Sequence, residues 1–207
     1  RIANLVVDMN SRNEVNQLLT DCNFTSAEKI RFKLDFFLAC FCLVAHAVKT
    51  AVKDQDAEKI SEHMFPILDG YLRKNIPHIV RLGDFVANDD EWSFLRNVHQ
   101  IDDPNIRIDY DTAVRLIFHH RSEKYDEAFH EGFDFYDSLV SMENFIPDDK
   151  FESRSEGYKL LAVSPLAANF VLNFPTTEKY TNHLLGNLPV FFAALYFPIK
   201  EFCEQSM

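Results

Sequence analysis

The stretch from about residue 111 to 142 constrains this chain more than any other. Stepped at about 100° per residue, its side chains separate by chemistry. Ile117, Phe135, Ala128, Leu139, Val114, Tyr125, Phe118, Tyr136, Phe129, Val140 and Phe133 fall on one side, and Arg121 and Ser122 are the polar intruders among them. Asp126, Asp137, Glu123, Asp134, Glu127, Glu131, His119, His130 and His120 fall on the other. A partition held over so many turns is the pattern of a long amphipathic α-helix with one face buried and one in water.

A second long helix is expected from about 26 to 53. Thr25-Ser-Ala-Glu28 has the capping-box pattern at its start, and Phe32, Phe36, Leu43 and Ala47 point to a core. Shorter helices are expected to about Asp21, from about 56 to 64 with a stop at Phe65-Pro66, at 67–74, at 77–87, and from the acidic start Asp89-Asp90-Glu91. Residues 100–109 read as a loop, "IRIDY" (106–110) gives the one short two-residue alternation, and 144–155 reads as a polar loop. Helices near 156–174, 177–185 and 189–204 follow, with Pro198 expected to kink or split the last. The fold class is all-α, one multi-helix domain over 1–207.

With only 5 Gly among 207 residues, neither a turn-rich β fold nor a Gly-rich phosphate loop is supported, and no GxGxxG or GxxxxGK[ST] occurs. Cys22, Cys40, Cys42 and Cys203 lack CxxC spacing and histidine neighbours, which suits buried free thiols in a reducing, cytoplasmic setting. No secretory signal pattern is visible. The longest apolar run, residues 36–48, is too short for a bilayer core of roughly 30 Å and suits a buried helix, so no membrane partner is expected.

Charge is distributed unevenly. Residues 1–83 carry 10 Asp/Glu against 11 Lys/Arg, residues 157–207 carry 3 against 3, and residues 84–156 carry 19 against 7, so the middle block holds the whole excess behind the net −11. A nucleic-acid groove needs the opposite sign, which argues against direct binding of DNA or RNA. An acidic field instead attracts basic partners.

Two chemical motifs lie in the same segment. Glu127-x-x-His130 has the spacing used by di-iron bundles, but there the ligands project into the core and a second such motif is required. Here it lies opposite the apolar side, Glu58, Glu62 and His63 have the wrong spacing, and no metal or other cofactor is expected. A surface patch of His119, Glu123, Glu127 and His130 could hold zinc only adventitiously. Arg115-x-x-x-x-His120 has the spacing of helical HEPN-type RNases, in which an arginine holds phosphate and a histidine moves a proton. On a regular helix those two residues diverge by about 140°, and their surroundings repel an RNA backbone.

A non-enzymatic binding face fits the pattern better. Like charges at i,i+4, such as Glu123/Glu127 and Glu127/Glu131, cost a few tenths of a kcal/mol each, and a cation-rich partner would relieve them. The expected surface comprises Glu123, Asp126, Glu127, Glu131 and Asp134, aided by Asp89, Asp90 and the 144–155 loop. The alternatives are the Arg115/His120 RNase and a structural subunit or homodimer built on "LPVFFAALYF" (188–197).

The stretches "HHRSEKYDEAFHEGFDFYDSL", "EGYKLLAVSPLAANFVLNF" and "TEKYTNHLLGNLP" together resemble the C-terminal half of helical immunity proteins of bacterial polymorphic-toxin systems, above all the family known as immunity protein forty-nine. The matching positions are Gly157, Leu161, Pro165, Leu166, Ala167, Tyr180, Leu184 and Leu185. The resemblance implies a cytoplasmic, non-enzymatic protein that binds and neutralises a cognate toxin.

Overall fold

Thr25 caps the helix around which the rest of the chain assembles. Its hydroxyl accepts from the Glu28 N–H (3.3 Å) while the Glu28 carboxylate accepts from the Thr25 N–H (2.7 Å), the reciprocal box foreseen in the sequence. The computed structural model describes residues 13–52, 54–75, 79–84, 86, 88–143, 151–172 and 178–205. Within them run α1 (Asn13–Asp21), α2 (Ser26–Ala51), α3 (Asp54–Asn75), β1 (Ile79–Arg81), a 3-10 turn (Leu82–Asp84), α4 (Asp89–His99) and β2 (Arg107–Asp109). There follow α5 (Tyr110–Ala113), a π-helical turn (Val114–Phe118), α6 (His119–Glu143), α7 (Phe151–Leu172) and α8 (Glu178–Gln205).

Helix α2 is central because it is apolar nearly all round. Phe32, Phe36, Phe37, Ala39, Leu43, Val44, Ala47 and Val48 are fully buried, and α2 packs on α3, α6, α7 and α8. Phe32 meets Phe170 of α7 edge-on at 5.2 Å, Phe36 stacks on Phe192 of α8 at 5.8 Å, and Phe37 stacks on Tyr71 of α3 at 3.8 Å. Each such ring contributes about 1.5–3 kcal/mol by burial, with pair geometry adding about 1 kcal/mol. One contiguous core cluster reaches from Val15 in α1 to Cys203 in α8. By length and composition the stretch Arg31–Ala51 could cross a membrane; here 72% of its most apolar window is covered by the other helices.

The all-α reading holds, with a two-stranded antiparallel ribbon added. Residues 77–87, expected as a helix, contribute instead β1, which pairs with β2 (Val80 opposite Ile108), followed by the 3-10 turn. The "IRIDY" alternation, placed at the edge of a loop by sequence, is that second strand: Ile108 is buried between the exposed Arg107 and Asp109. Local helix propensity at 77–87 yields to this tertiary pairing.

The prolines do not divide helices as expected. Pro66 lies inside α3, Pro165 inside α7, and Pro189 and Pro198 inside α8. An interior proline costs about 3 kcal/mol, and the buried stripes show what offsets it. Leu184, Leu188, Phe192, Leu195, Tyr196, Ile199 and Cys203 form an unbroken helical stripe through both α8 prolines. Met64, Leu68 and Leu72 do the same past Pro66, which is itself exposed. Breaking either helix would expose half of its stripe. The α7 helix starts at Phe151, inside the expected 144–155 loop, and 144–150 lie outside the described residues.

The long acidic helix is present with one irregularity. In the π turn the His119 N–H bonds to the Val114 carbonyl, five residues back. A turn with an extra residue rotates everything after it. Leu116 and Tyr125 would stand on opposite sides of a uniform helix, since nine steps of about 100° come to half a turn; both are buried. The buried line downstream therefore runs through Arg121, Tyr125, Ala128, Phe129 and Gly132. Phe135, which uniform stepping places in line with Ile117 at the edge of the apolar side, is 51% exposed, whereas Ile117 is buried. Gly132 sets the spacing of α6 and α7: a Cβ there would lie 1.9 Å from the Ala162 carbonyl oxygen.

Candidate functional site

The outer side of α6 carries the predicted carboxylates as expected. Glu123, Glu127, Glu131 and Asp134 are exposed, and Asp126 is half-buried beside Cys42, His46 and Lys49. Asp89 and Asp90 are brought to the same surface although they belong to α4. The Lys124 ammonium lies 3.7 Å from Asp90 and 4.0 Å from Glu127, tying the start of α4 to the outer side of α6. His119 Nε2 lies 3.6 Å from Glu123. The side chains of Glu127 and Asp90 are 74% and 73% exposed, so these pairs are screened contacts, each contributing under about 1 kcal/mol.

Local sequence explains why α4 begins here. Asn88, extended at φ −151°, caps it by accepting from the Glu91 N–H at 3.0 Å, and Asp89, Asp90 and Glu91 occupy the electropositive first turn. These three acids then divide. Asp89 and Asp90 face water, whereas Glu91 is 6% exposed and turns inward.

Glu91 meets the feature that sequence reasoning passed over, a buried ion cluster. Arg121 of α6 is 2% exposed; its Nε and Nη2 donate to the two Glu91 carboxylate oxygens at 2.5 and 2.9 Å, and its Nη1 donates to Asp35 of α2. Arg31, one turn before Asp35, approaches that carboxylate to 3.9 Å. Burial by itself opposes the Arg121 charge, but the fields of Asp35 and Glu91 outweigh it and hold the guanidinium protonated. Burial also raises the Asp35 carboxyl, with Arg121 and Arg31 pulling it part of the way back. Such a cluster adds little net stability over an apolar core, yet it admits only one arrangement of its members. It pins α2, α4 and α6 together and so positions Asp89 and Asp90 alongside α6. The signals were present in the sequence: Arg121 intrudes on the apolar side of its helix, and Asp35 interrupts the apolar face of α2.

The chemical motifs find less support. Glu127 and His130 both face outward, and the His130 ring sits edge-on to His46 at 5.5 Å. Among the described residues no three His, Cys, Asp or Glu side chains converge as metal ligands would. Arg115 is exposed on the wall of one cavity, while His120 lines another and stacks on Phe94 at 3.9 Å. Burial lowers the His120 pKa. Among the described residues the two thus line different cavities, Arg115 beside Phe118 and His120 beside Glu91. His120 was expected on the outward side and is instead half-buried, because the α4 helix carrying Phe94 packs over it.

The cysteines, His46 and much of the 188–197 segment lie in or against the core. Burial pushes Cys22 up to about 11 and Cys42 up to about 12, and raises Cys40 and Cys203 as well, so the four free thiols are poor nucleophiles. His46, in the apolar run of α2, stacks between Phe129 (5.4 Å) and Phe133 (5.2 Å). In the segment 188–197, Leu188, Phe192, Leu195 and Tyr196 are buried in the chain's own core.

No family model, curated protein or solved structure matches this chain. Of the positions that carry the resemblance to immunity proteins, Leu166, Ala167 and Leu184 are core residues, Gly157, Leu161 and Leu185 are exposed, and Pro165 is half-buried. Tyr180 lies in α8, and its side chain is outside what is described.

Proposed function

We propose that this chain is a non-enzymatic binding protein whose acidic α6 face docks on a basic protein and blocks it, in the manner of a toxin-neutralising immunity protein acting in the cytoplasm. One observation carries the reading. The carboxylates of α6 stand outward, and a buried ion cluster holds the acidic start of α4 against them. A surface that concentrates like charge in a fixed geometry pays a standing cost from mutual repulsion, which a cationic partner relieves on contact. Complementary fields of this kind speed encounter and, where charges become buried, slow release. A nuclease or another enzyme acting on nucleic acid fits such a face, because its own substrate groove is cationic.

The test is co-expression with the product of the coding sequence immediately upstream, followed by binding measured at roughly 0.05 M and about 0.3 M salt. The triple reversal Glu123→Lys/Glu127→Lys/Glu131→Lys is expected to weaken capture at least about tenfold at low salt, with helical circular dichroism unchanged. Equal affinity of the triple variant removes this surface from the reading. Incubation with RNA is the second arm: cleavage that disappears in His120→Ala would replace inhibition by catalysis.

A further inference from the structure

Between α2, α3 and the π turn lies a cavity of about 360 Å³. This is at the small end of ligand pockets, which run roughly 300–1,000 Å³. Its walls are apolar, chiefly Leu38, Phe41, Leu68, Leu72 and Phe118, and Phe65 stands at it 60% exposed. An apolar hollow that excludes few polar contacts favours a hydrocarbon occupant.

The polar groups around it are unequally engaged. Asp69 is held by Arg73 Nε at 2.9 Å and by the Tyr110 hydroxyl at 2.9 Å, so its carboxylate is already satisfied. Arg115 is not. It adds to the Thr112 hydrogen bonds that hold the Asp109 carboxyl below its usual range, yet it makes no hydrogen bond or ion pair with any described residue. His119, one turn on, lies on the same cavity wall. Both positions are set by the π turn, whose extra residue turns Val114, Arg115, Phe118 and His119 to this hollow. Such turns are rare and recur at functional sites.

We infer that this cavity is a binding site for a small amphipathic anion, an aliphatic carboxylate whose chain lies against Leu38, Leu68 and Phe118 and whose head group is bound by Arg115 with His119. A guanidinium recognises a carboxylate through two parallel N–H donors, and it does so against the chain's net negative charge only where it stands uncommitted. The site borders the acidic α6 face at His119, which also lies 3.6 Å from Glu123, but its test rests on Arg115 and Val114, neither of which belongs to that face.

Titration calorimetry of the full chain with decanoate, and with decanol as the neutral arm, tests it. Saturable one-to-one binding of decanoate is expected, with decanol at least about tenfold weaker, the worth of one charge-assisted contact near 1.4 kcal/mol. Arg115→Gln should bring decanoate down to the affinity of decanol. Val114→Trp, which fills the hollow from a half-buried position, should abolish binding of both while the thermal unfolding midpoint shows the protein folded. Non-saturating uptake, equal binding of acid and alcohol, or decanoate affinity unchanged in Arg115→Gln would overturn the assignment.

Discussion

Replacing Arg121 by methionine keeps an unbranched chain of similar bulk and removes the charge from the buried cluster. The donors that Arg121 offers to both oxygens of Glu91 and to Asp35 are lost. The Asp35 side chain is 1% exposed and that of Glu91 7%, so neither can exchange its partner for bulk water. Arg31 still stands 3.9 Å from Asp35, so the loss falls mainly on the Glu91 carboxylate, to whose two oxygens Arg121 donates. The penalty has a ceiling, because a carboxyl can protonate instead of remaining a buried anion. With an unfolded pKa near 4 and about 1.4 kcal/mol per pH unit, neutralising one carboxyl at pH 7 costs about 4 kcal/mol. A loss of about 3–5 kcal/mol is therefore expected at pH 7, in line with other broken buried pairs and a large part of the 5–15 kcal/mol that typically holds a domain together.

The sign of the pH dependence is specific. An orphaned carboxyl is protonated in the folded state and ionised in the unfolded one, so folding takes up a proton and the variant recovers as pH falls. The gap to the parent protein should narrow by about 1.4 kcal/mol for each unit between pH 7 and pH 5. Urea unfolding followed by circular dichroism at the two pH values measures both quantities. The triple change Arg121→Met/Asp35→Leu/Glu91→Leu should return stability to within about 2 kcal/mol of the parent. A single-variant loss below about 1 kcal/mol, or a loss independent of pH, would refute the claim that this cluster is dry and mutually dependent.

In the parent protein acid should weaken the fold through His46. Burial first, and the nearby His130 second, lower its pKa to about 4, so the stability it carries is complete above its unfolded value of 6.5 and is lost as pH falls toward 4. That amounts to about 2 kcal/mol at pH 5, and His46→Phe should flatten the acid limb of a stability-versus-pH curve by this amount. Gly132→Ala should cost about 1–3 kcal/mol, because its Cβ meets the Ala162 carbonyl at 1.9 Å and the two helices must part. Gly70→Ala, with open space around it in α3, should stabilise by about 0.5–1 kcal/mol; the two shifts, opposite in sign, are read from the same chemical melts. Thr25→Ala removes the capping box and should lower stability by about 1 kcal/mol, with no effect expected if α2 does not begin there.

Much of the candidate site could be read in the chain because it depends on local periodicity. Glu123, Glu127, Glu131 and Asp134 recur at the helical period opposite a buried stripe, and any amphipathic helix must expose such residues. Their alliance with Asp90 could not be read, since it rests on a Lys124 contact across a sequence separation of 34 residues between two helices. The same holds for the inward turn of Glu91, whose neighbours Asp89 and Asp90 are chemically alike and differ only in which way the first turn of α4 presents them.

The sequence by itself determined the all-α class, the start of α2 at Thr25 and the outward side of α6, because capping and helical period are interactions among residues within a turn of one another. Only tertiary packing decided the continuous helices through Pro66, Pro189 and Pro198, the β1–β2 ribbon, the π turn and the ion cluster. Each of these is locally unfavourable or neutral and is held by burial or charge pairing with residues far along the chain, a free energy that no short window of sequence contains.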